Sequence, residues 1–159
     1  MCPENVVFWN LVEEIGWKKG VNDNYKSIRT HLTFKYKKNQ NIPKEMLSVL
    51  EIYHREMLES IYEAWLKCSP SVLFGMGGQR GDDLISEIIG RGREYYNEVL
   101  RDPMIAAKMY KENDYAESFR YCFPNERDFF DIGMGENLVY PSSVTIILKS
   151  KNLKEDEEK

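Results

Sequence analysis

Apolar residues recur at intervals of three and four along most of the chain, which is the period of a helix with one buried face. The helices predicted from this pattern span about 3–19, 22–38, 43–68, 82–100, 104–113 and 115–123. The helix at 43–68 is the longest and has the broadest apolar stripe, so we expect it at the centre of a bundle. Gly90 and Gly92 predict a kink or a close helix crossing within 82–100.

The remaining segments predict loops and a small amount of strand. Residues 71–81 are rich in glycine and predict a loop, and residues 125–136 have the composition of turns. Leu138–Tyr140 and Val144–Leu148 are candidates for a small C-terminal β-hairpin, because β-branched residues cluster there. The sequence therefore predicts a mainly α fold, a compact bundle of five to six helices. We expect a single domain at 1–150 and a disordered acidic tail at 151–159.

Composition and charge narrow the class of protein. The chain has 159 residues, 42% of them hydrophobic, which is enough for one domain with a core that needs no disulfide or metal. Its three cysteines are widely spaced and form no CxxC pair, which is typical of reduced thiols. The N-terminal stretch has no signal-peptide pattern, and no apolar run approaches the roughly 20 residues of a membrane span. We expect a cytoplasmic protein that does not bind membranes.

The stretch Gly75–Tyr96 combines a glycine-rich loop with clustered charge. Asp82 and Asp83 follow the loop, and capping of a helix N-terminus would explain at most one of them well. The other carboxylate would pair with Arg80, Arg91 or Arg93, or would face a ligand. The loop has neither the Gly-Lys-Ser/Thr ending of a P-loop nor a strand in front of it, so a nucleotide site is not indicated. No catalytic residue and no cofactor are predicted.

His54 is the only histidine on the apolar stripe of the longest helix. Such a position suits a general base, but it equally suits a neutral imidazole that is buried and bonded to a tyrosine or a carbonyl group. The sequence offers no nucleophile beside it. We therefore favour the structural role.

A basic and aromatic stretch ends the second predicted helix. Lysines 35, 37 and 38 alternate with Phe34 and Tyr36, a composition that also occurs where proteins stack on single-stranded nucleic acid. The net charge of −4 argues against a protein that grips phosphate backbones, and lysines favour the C-terminal end of any helix. Nucleic-acid binding is therefore the least favoured function.

A set of short motifs resembles a known family. The matching residues are Phe8, Trp9, Trp65, Gly77, Gly78, Asp82, Asp83, Gly92, Arg93, Glu94, Tyr96, Asp102 and Pro103. Together they resemble the uncharacterised bacterial domain-of-unknown-function family four-two-four-zero, over about residues 5–109. The resemblance implies a mainly helical bacterial protein and no established activity. The family's aromatic residues after the Asp-Asp pair are missing here, where Leu84, Glu87 and Ile88 stand instead.

Two functions remain open from the sequence. The first is a protein-interaction module, for example an immunity protein that neutralises a toxin, which fits the acidic balance and the lack of a nucleophile–base pair. Its candidate interface aromatics are Tyr121, Phe123, Phe129 and Phe130. The second is a pocket that binds a ligand or metal, with enzymatic activity left open. Its candidate residues are Asp82, Asp83, Arg80, Arg91, Arg93, His54 and Trp65.

Overall fold

The structure is a computed structural model that describes residues 5–17, 25–68, 70–73, 76, 78–117 and 119–134. Within these residues the fold is mainly α, as the sequence predicts. The α-helices in chain order are α1 Val6–Ile15, α2 Tyr25–Lys35, α3 Asn41–Cys68, α4 Pro70–Leu73, α5 Gln79–Gly90, α6 Arg93–Arg101, α7 Met104–Glu112 and α8 Glu126–Met134. A short 3-10 helix, Phe119–Cys122, precedes α8. The candidate hairpin and the acidic tail lie outside the described residues.

The chain divides into two compact units. Among the described residues, one unit contains those within 1–23 and 45–120, and the other contains those within 24–44 and 121–159. In the first unit the rings of Phe8, Trp9, Tyr53 and Tyr96 pack with centroids about 5 Å apart. The expectation of a single domain at 1–150 stays a prediction.

The second unit is organised around the packing of α2 on α8. Ile28 and Leu32 of α2 and Phe129 of α8 are buried. Arg29 lies 3.9 Å from the Asp128 carboxylate, which adds an ion pair between the two helices. The apolar face of α2 is therefore used within its own unit.

The first helix is shorter than predicted at its C-terminal end. Asn5 caps its start by accepting a hydrogen bond from the Phe8 N–H. Gly16 ends it in the left-handed conformation, with φ of 70°, and donates its N–H to Val12. Glycine adopts this conformation without strain, so the helix ends before Lys19.

The prediction of a loop at 71–81 is partly wrong. Residues 70–73 form the single turn α4, and α5 already begins at Gln79, with Gly78 as its N-cap. Gly78 has φ of 96° and offers no side chain, so the helix is not capped by a carboxylate. Asp82 lies within the first turn and Asp83 follows it. The interpretation of either residue as the cap is therefore wrong.

The predicted helix at 82–100 is two helices. The chain breaks at Gly92, whose φ of 106° cannot belong to a right-handed helix, and α6 begins at Arg93. The close contact at Gly90 is with two aromatic side chains. A Cβ there would lie 2.7 Å from the rings of both Trp17 and Phe119, so only glycine allows this approach.

The turn-like segment at 125–136 is also different from its prediction, because α8 occupies Glu126–Met134. Asn125 and Asp128 explain its start. The Asn125 side chain accepts from the Asp128 N–H, and the Asp128 carboxylate accepts from the Asn125 N–H. This reciprocal pairing is a capping box.

None of the helices in the described part of the chain combines the length and apolar character that a bilayer crossing requires.

Candidate functional site

A pocket of about 540 Å³ lies between α3, α4 and the first turns of α5. Its lining residues are Leu58, Glu59, Ile61, Tyr62, Leu73, Met76, Gly78 and Asp82. Five of these side chains are apolar or aromatic, two are carboxylates, and none is basic. The volume lies within the range typical of ligand pockets, roughly 300–1,000 Å³.

Glycine residues shape the side of the pocket formed by the start of α5. A Cβ on Gly81 would lie 2.1 Å from the carbonyl oxygen of Met76, so the backbone at Met76 contacts this helix where only glycine fits. The positive φ of Gly78 sets the direction in which α5 begins. Met76 and Asp82 both line the pocket.

The structure brings His54 of α3 and Asp82 of α5 together. Nε2 of His54 lies 3.2 Å from Oδ1 of Asp82, close enough for an ion pair when the imidazole is protonated. Nε2 is nevertheless not aligned for a hydrogen bond with a protein acceptor. The side chain of His54 is 12% exposed, while that of Asp82 is 60% exposed and lines the pocket. The carboxylate is thus open to a ligand, and the imidazole lies behind it.

Asp83 lies in a crowded anionic environment beside the pocket. Partial burial raises the pKa of its carboxyl group above the ordinary value, and the negative charges of Glu117 and Asp82 raise it further. Glu117 is held near the start of α5 by a hydrogen bond of 2.9 Å from the Gln79 side chain. Negative charge therefore accumulates where α5 begins.

Arg80 does not line the pocket. Its guanidinium carbon lies 5.9 Å from the centroid of the Tyr110 ring, a cation–π arrangement. Tyr110 in turn stacks on Tyr115 and meets Trp65 edge-on. Arg80 thus covers an aromatic surface built from α3, α7 and the segment after α7.

Arg91 makes its contacts at the C-terminal end of α5. It donates to the carbonyl and carboxylate oxygens of Asp114 at 3.0 and 2.9 Å and approaches Glu87 at 3.4 Å. Its guanidinium also lies over the Tyr95 ring. Burial lowers the pKa of Arg91, but the hydrogen bond with Asp114 and the negative charges of Glu87 and Asp114 together outweigh burial and hold the pKa above its ordinary value. Arg91 is nine residues from Asp82, about 14 Å along the helix, so the two do not form one site.

Two further candidates also lie apart from the pocket lining. Trp65 is fully buried and donates its indole N–H to the carbonyl oxygen of Pro103 at 2.9 Å, which is a structural role. Arg93 is exposed at the start of α6. Of the seven sequence candidates, the structure therefore unites His54 and Asp82 at the pocket, with Asp83 beside them.

Sequence reasoning missed a second apolar face on α3. Leu58 is 37% exposed, and Tyr62 and Leu66 are 57% and 55% exposed. These three residues, which we call the α3 stripe, follow one another at intervals of four. The signal was present in the sequence, because α3 has more apolar residues than a single buried face can accommodate.

The basic and aromatic stretch lies at the end of α2 and in the turn after it. Lys35 is the last residue of α2, and its ammonium group lies 5.5 Å from the centroid of the adjacent Tyr36 ring. Phe34 and Tyr36 are half-buried. This arrangement matches a helix C-terminus with lysines that complement its dipole.

Among the described residues, no three His, Cys, Asp or Glu side chains converge on a point that a metal ion could occupy. No family model, curated protein or solved structure matches the chain. The resemblance to family four-two-four-zero therefore stays a prediction, and function has to be argued from the pocket and its surroundings.

Proposed function

We propose that this helical protein is a protein-interaction module and that the pocket with the adjoining α3 stripe is its docking surface. One observation carries the proposal: two residues of the exposed stripe, Leu58 and Tyr62, also line the pocket. A large apolar side chain of a partner could enter the pocket while its neighbours cover the stripe. Leu66 extends the same surface by one further turn.

Leaving this apolar surface exposed to water is unfavourable. Scattered exposed apolar residues are normal, but a contiguous apolar stripe beside a concave pocket is typical of interaction sites. Aromatic residues that border such a pocket are frequent energetic hot spots, and tyrosine is among the commonest. Tyr62 is therefore the residue whose loss should weaken binding most.

The test is a selection of helical peptides from a phage-displayed library against the full chain. Peptides that bind wild type are then measured against Tyr62→Ser, with Tyr121→Ser as a matched control, because Tyr121 is also an exposed tyrosine. We expect at least a tenfold loss of affinity for Tyr62→Ser, about 1.4 kcal/mol, and no change for Tyr121→Ser. Binding that survives Tyr62→Ser would place the docking surface elsewhere and contradict the proposal.

A second candidate function is supported by the pair formed by His54 and Asp82. A largely buried imidazole behind an exposed carboxylate at an apolar pocket suits binding of a small organic cation or acid–base chemistry. The experiment is a thermal-shift screen with organic cations, divalent metals and nucleotides on wild type, Asp82→Asn and the control Arg93→Gln. A ligand that stabilises wild type and Arg93→Gln, but not Asp82→Asn, would favour this second function.

A further inference from the structure

We infer that the partner presents a basic amphipathic helix to this surface, with apolar residues on the α3 stripe and a lysine or arginine beside Glu59 and Asp82. The inference rests on the proposed function and adds the chemistry of the partner. It is carried by the shape of the stripe, the charge around the pocket and the absence of any strand in the described residues.

The shape of the stripe suits a helix. Leu58, Tyr62 and Leu66 are spaced by four, so they form a ridge along α3 about 12 Å long. Ridges of this kind pack against the i and i+4 residues of a second helix. The described residues include no β-strand, so within them an extended peptide would find no sheet edge for main-chain pairing. A helix can satisfy its own backbone and bring only side chains to the surface.

The charge around the pocket favours a partner that carries positive charge. The helix α3 contains five glutamates, at 45, 51, 56, 59 and 63, and three lysines or arginines, Lys44, Arg55 and Lys67. Glu51 pairs with Arg120, and Glu56 accepts a hydrogen bond from the Tyr96 hydroxyl. Glu59 is left facing solvent at the pocket.

Across the pocket, the exposed carboxylate of Asp82 adds a second negative charge, and Asp83 and Glu117 stand nearby. None of the described lining residues is basic. Complementary charge steers association and rejects partners of the wrong sign. An acidic helix would therefore be repelled where a basic helix is attracted.

A second copy of this chain is a less suitable occupant. Its described basic helix is α2, which belongs to a segment, residues 24–44, with six lysines and arginines and no acidic residue. The apolar residues Ile28 and Leu32 of that helix are already buried. A second copy could not offer them to the stripe without unpacking α2.

The test uses a peptide library in which apolar anchors are fixed and charge is free. Each peptide has leucines at three positions four residues apart, and each flanking position is randomised between lysine and glutamate. Selection is run against wild type, Glu59→Gln, Asp82→Asn and the double variant, each checked for folding by circular dichroism. Because Glu59 is exposed, we expect the Glu59→Gln variant to fold normally.

We expect lysine to be enriched over glutamate beside the anchors when wild type is the target. The affinity of a selected basic peptide should fall by up to about fivefold for each carboxylate removed, and its salt dependence should weaken. Tyr62→Ser should weaken binding of every peptide, whatever its charge.

The outcomes distinguish a failure of the inference from a failure of the proposed function. Peptides that bind through Tyr62 but show no lysine preference would overturn the inference and leave the proposed function standing. If no peptide is enriched, the proposed function and the inference both fail. Self-association seen by analytical ultracentrifugation and abolished by Tyr62→Ser would identify the occupant as a second copy and overturn the inference.

Discussion

Gly81 shows how one residue decides the shape of the pocket. Alanine is favoured over glycine inside a helix by about 1 kcal/mol, so Gly81→Ala would stabilise an isolated α5. In the folded protein the new methyl group would meet the Met76 carbonyl at 2.1 Å, and a backbone atom cannot yield as a flexible side chain does. We therefore expect Gly81→Ala to lower the free energy of unfolding by about 1–3 kcal/mol in urea titrations.

Asn97→Ala is the matched control for this prediction, because Asn97 is exposed in α6 and its replacement also improves helix propensity. We expect that variant to be unchanged or slightly more stable. A Gly81→Ala protein as stable as Asn97→Ala would show that the close approach of Met76 does not exist in solution.

Asp83 gives a prediction about pH. Its pKa is raised in the folded state, first by burial and then by Glu117 and Asp82, so the folded protein holds this proton more tightly than the unfolded chain does. The contribution of this group to stability is therefore most favourable below the pKa that the carboxyl group has in the unfolded chain, and it declines as the pH rises through the folded-state pKa. We expect Asp83→Asn to stabilise the protein at neutral pH and to lose that advantage near pH 3.

The measurement is the urea midpoint of wild type and Asp83→Asn across this pH range. Asp131→Asn, which removes an exposed carboxylate of α8, serves as the control. Equal responses of the two variants at every pH would contradict the assignment of Asp83 to an anionic cluster.

At the scale of the helices, apolar periodicity in the sequence predicted the positions of most of the longer helices. The apolar stripes located α1, α2, α3 and α7 to within a few residues, because each buries one face. Periodicity failed where a helix is short, as in α4, or where polar residues dominate its start, as in α8. The capping box of Asn125 and Asp128 was visible in the sequence and would have identified α8.

The candidate site was predicted less completely than the helices. Proximity of His54 to Asp82 depends on how α3 and α5 pack, which no local pattern encodes. The arginines were grouped with the aspartates because they are close in sequence, but Arg91 is turned to Asp114 and Arg80 to Tyr110. Side chains nine residues apart on one helix are separated by more than two turns, and that separation was calculable in advance.

The junction of α5 with the segment after α7 depends on Arg91. Its contacts with Asp114 and Glu87 link the end of α5 to residues that follow α7. In a double-mutant cycle of Arg91→Ala and Asp114→Ala, we expect a coupling energy of about 0.5–1.5 kcal/mol, since the arginine is only a quarter exposed and is already held in place.

The ion pair of Lys44 with Glu126 is the control cycle. Both of its side chains are largely exposed, at 63% and 80%, so its coupling should lie near the lower end of the range for surface pairs. Equal coupling energies in the two cycles would mean that Arg91 contributes no more than an ordinary surface charge. The junction would then have to be held by apolar packing alone.

At the scale of the whole molecule, α3 has two apolar faces that differ in exposure. One face of this helix is in the core, where Met57, Ile61 and Trp65 are fully buried. The adjacent face exposes Leu58, Tyr62 and Leu66. Both faces are apolar, so composition cannot tell them apart, but only the first should contribute strongly to the free energy of unfolding.

We expect Trp65→Ala to cost about 3–5 kcal/mol, because it removes a buried aromatic ring together with the hydrogen bond that the indole N–H donates to the Pro103 carbonyl. Tyr62→Ser and Leu66→Ser should each change stability by no more than about 0.5 kcal/mol beyond the small effect of helix propensity. Chemical denaturation of the three variants provides the comparison. If Tyr62→Ser proves nearly as costly as Trp65→Ala, the α3 stripe is packed in solution and cannot be a free docking surface. If it is nearly neutral, the fold does not depend on the exposed apolar ridge, which is what the proposed docking surface requires.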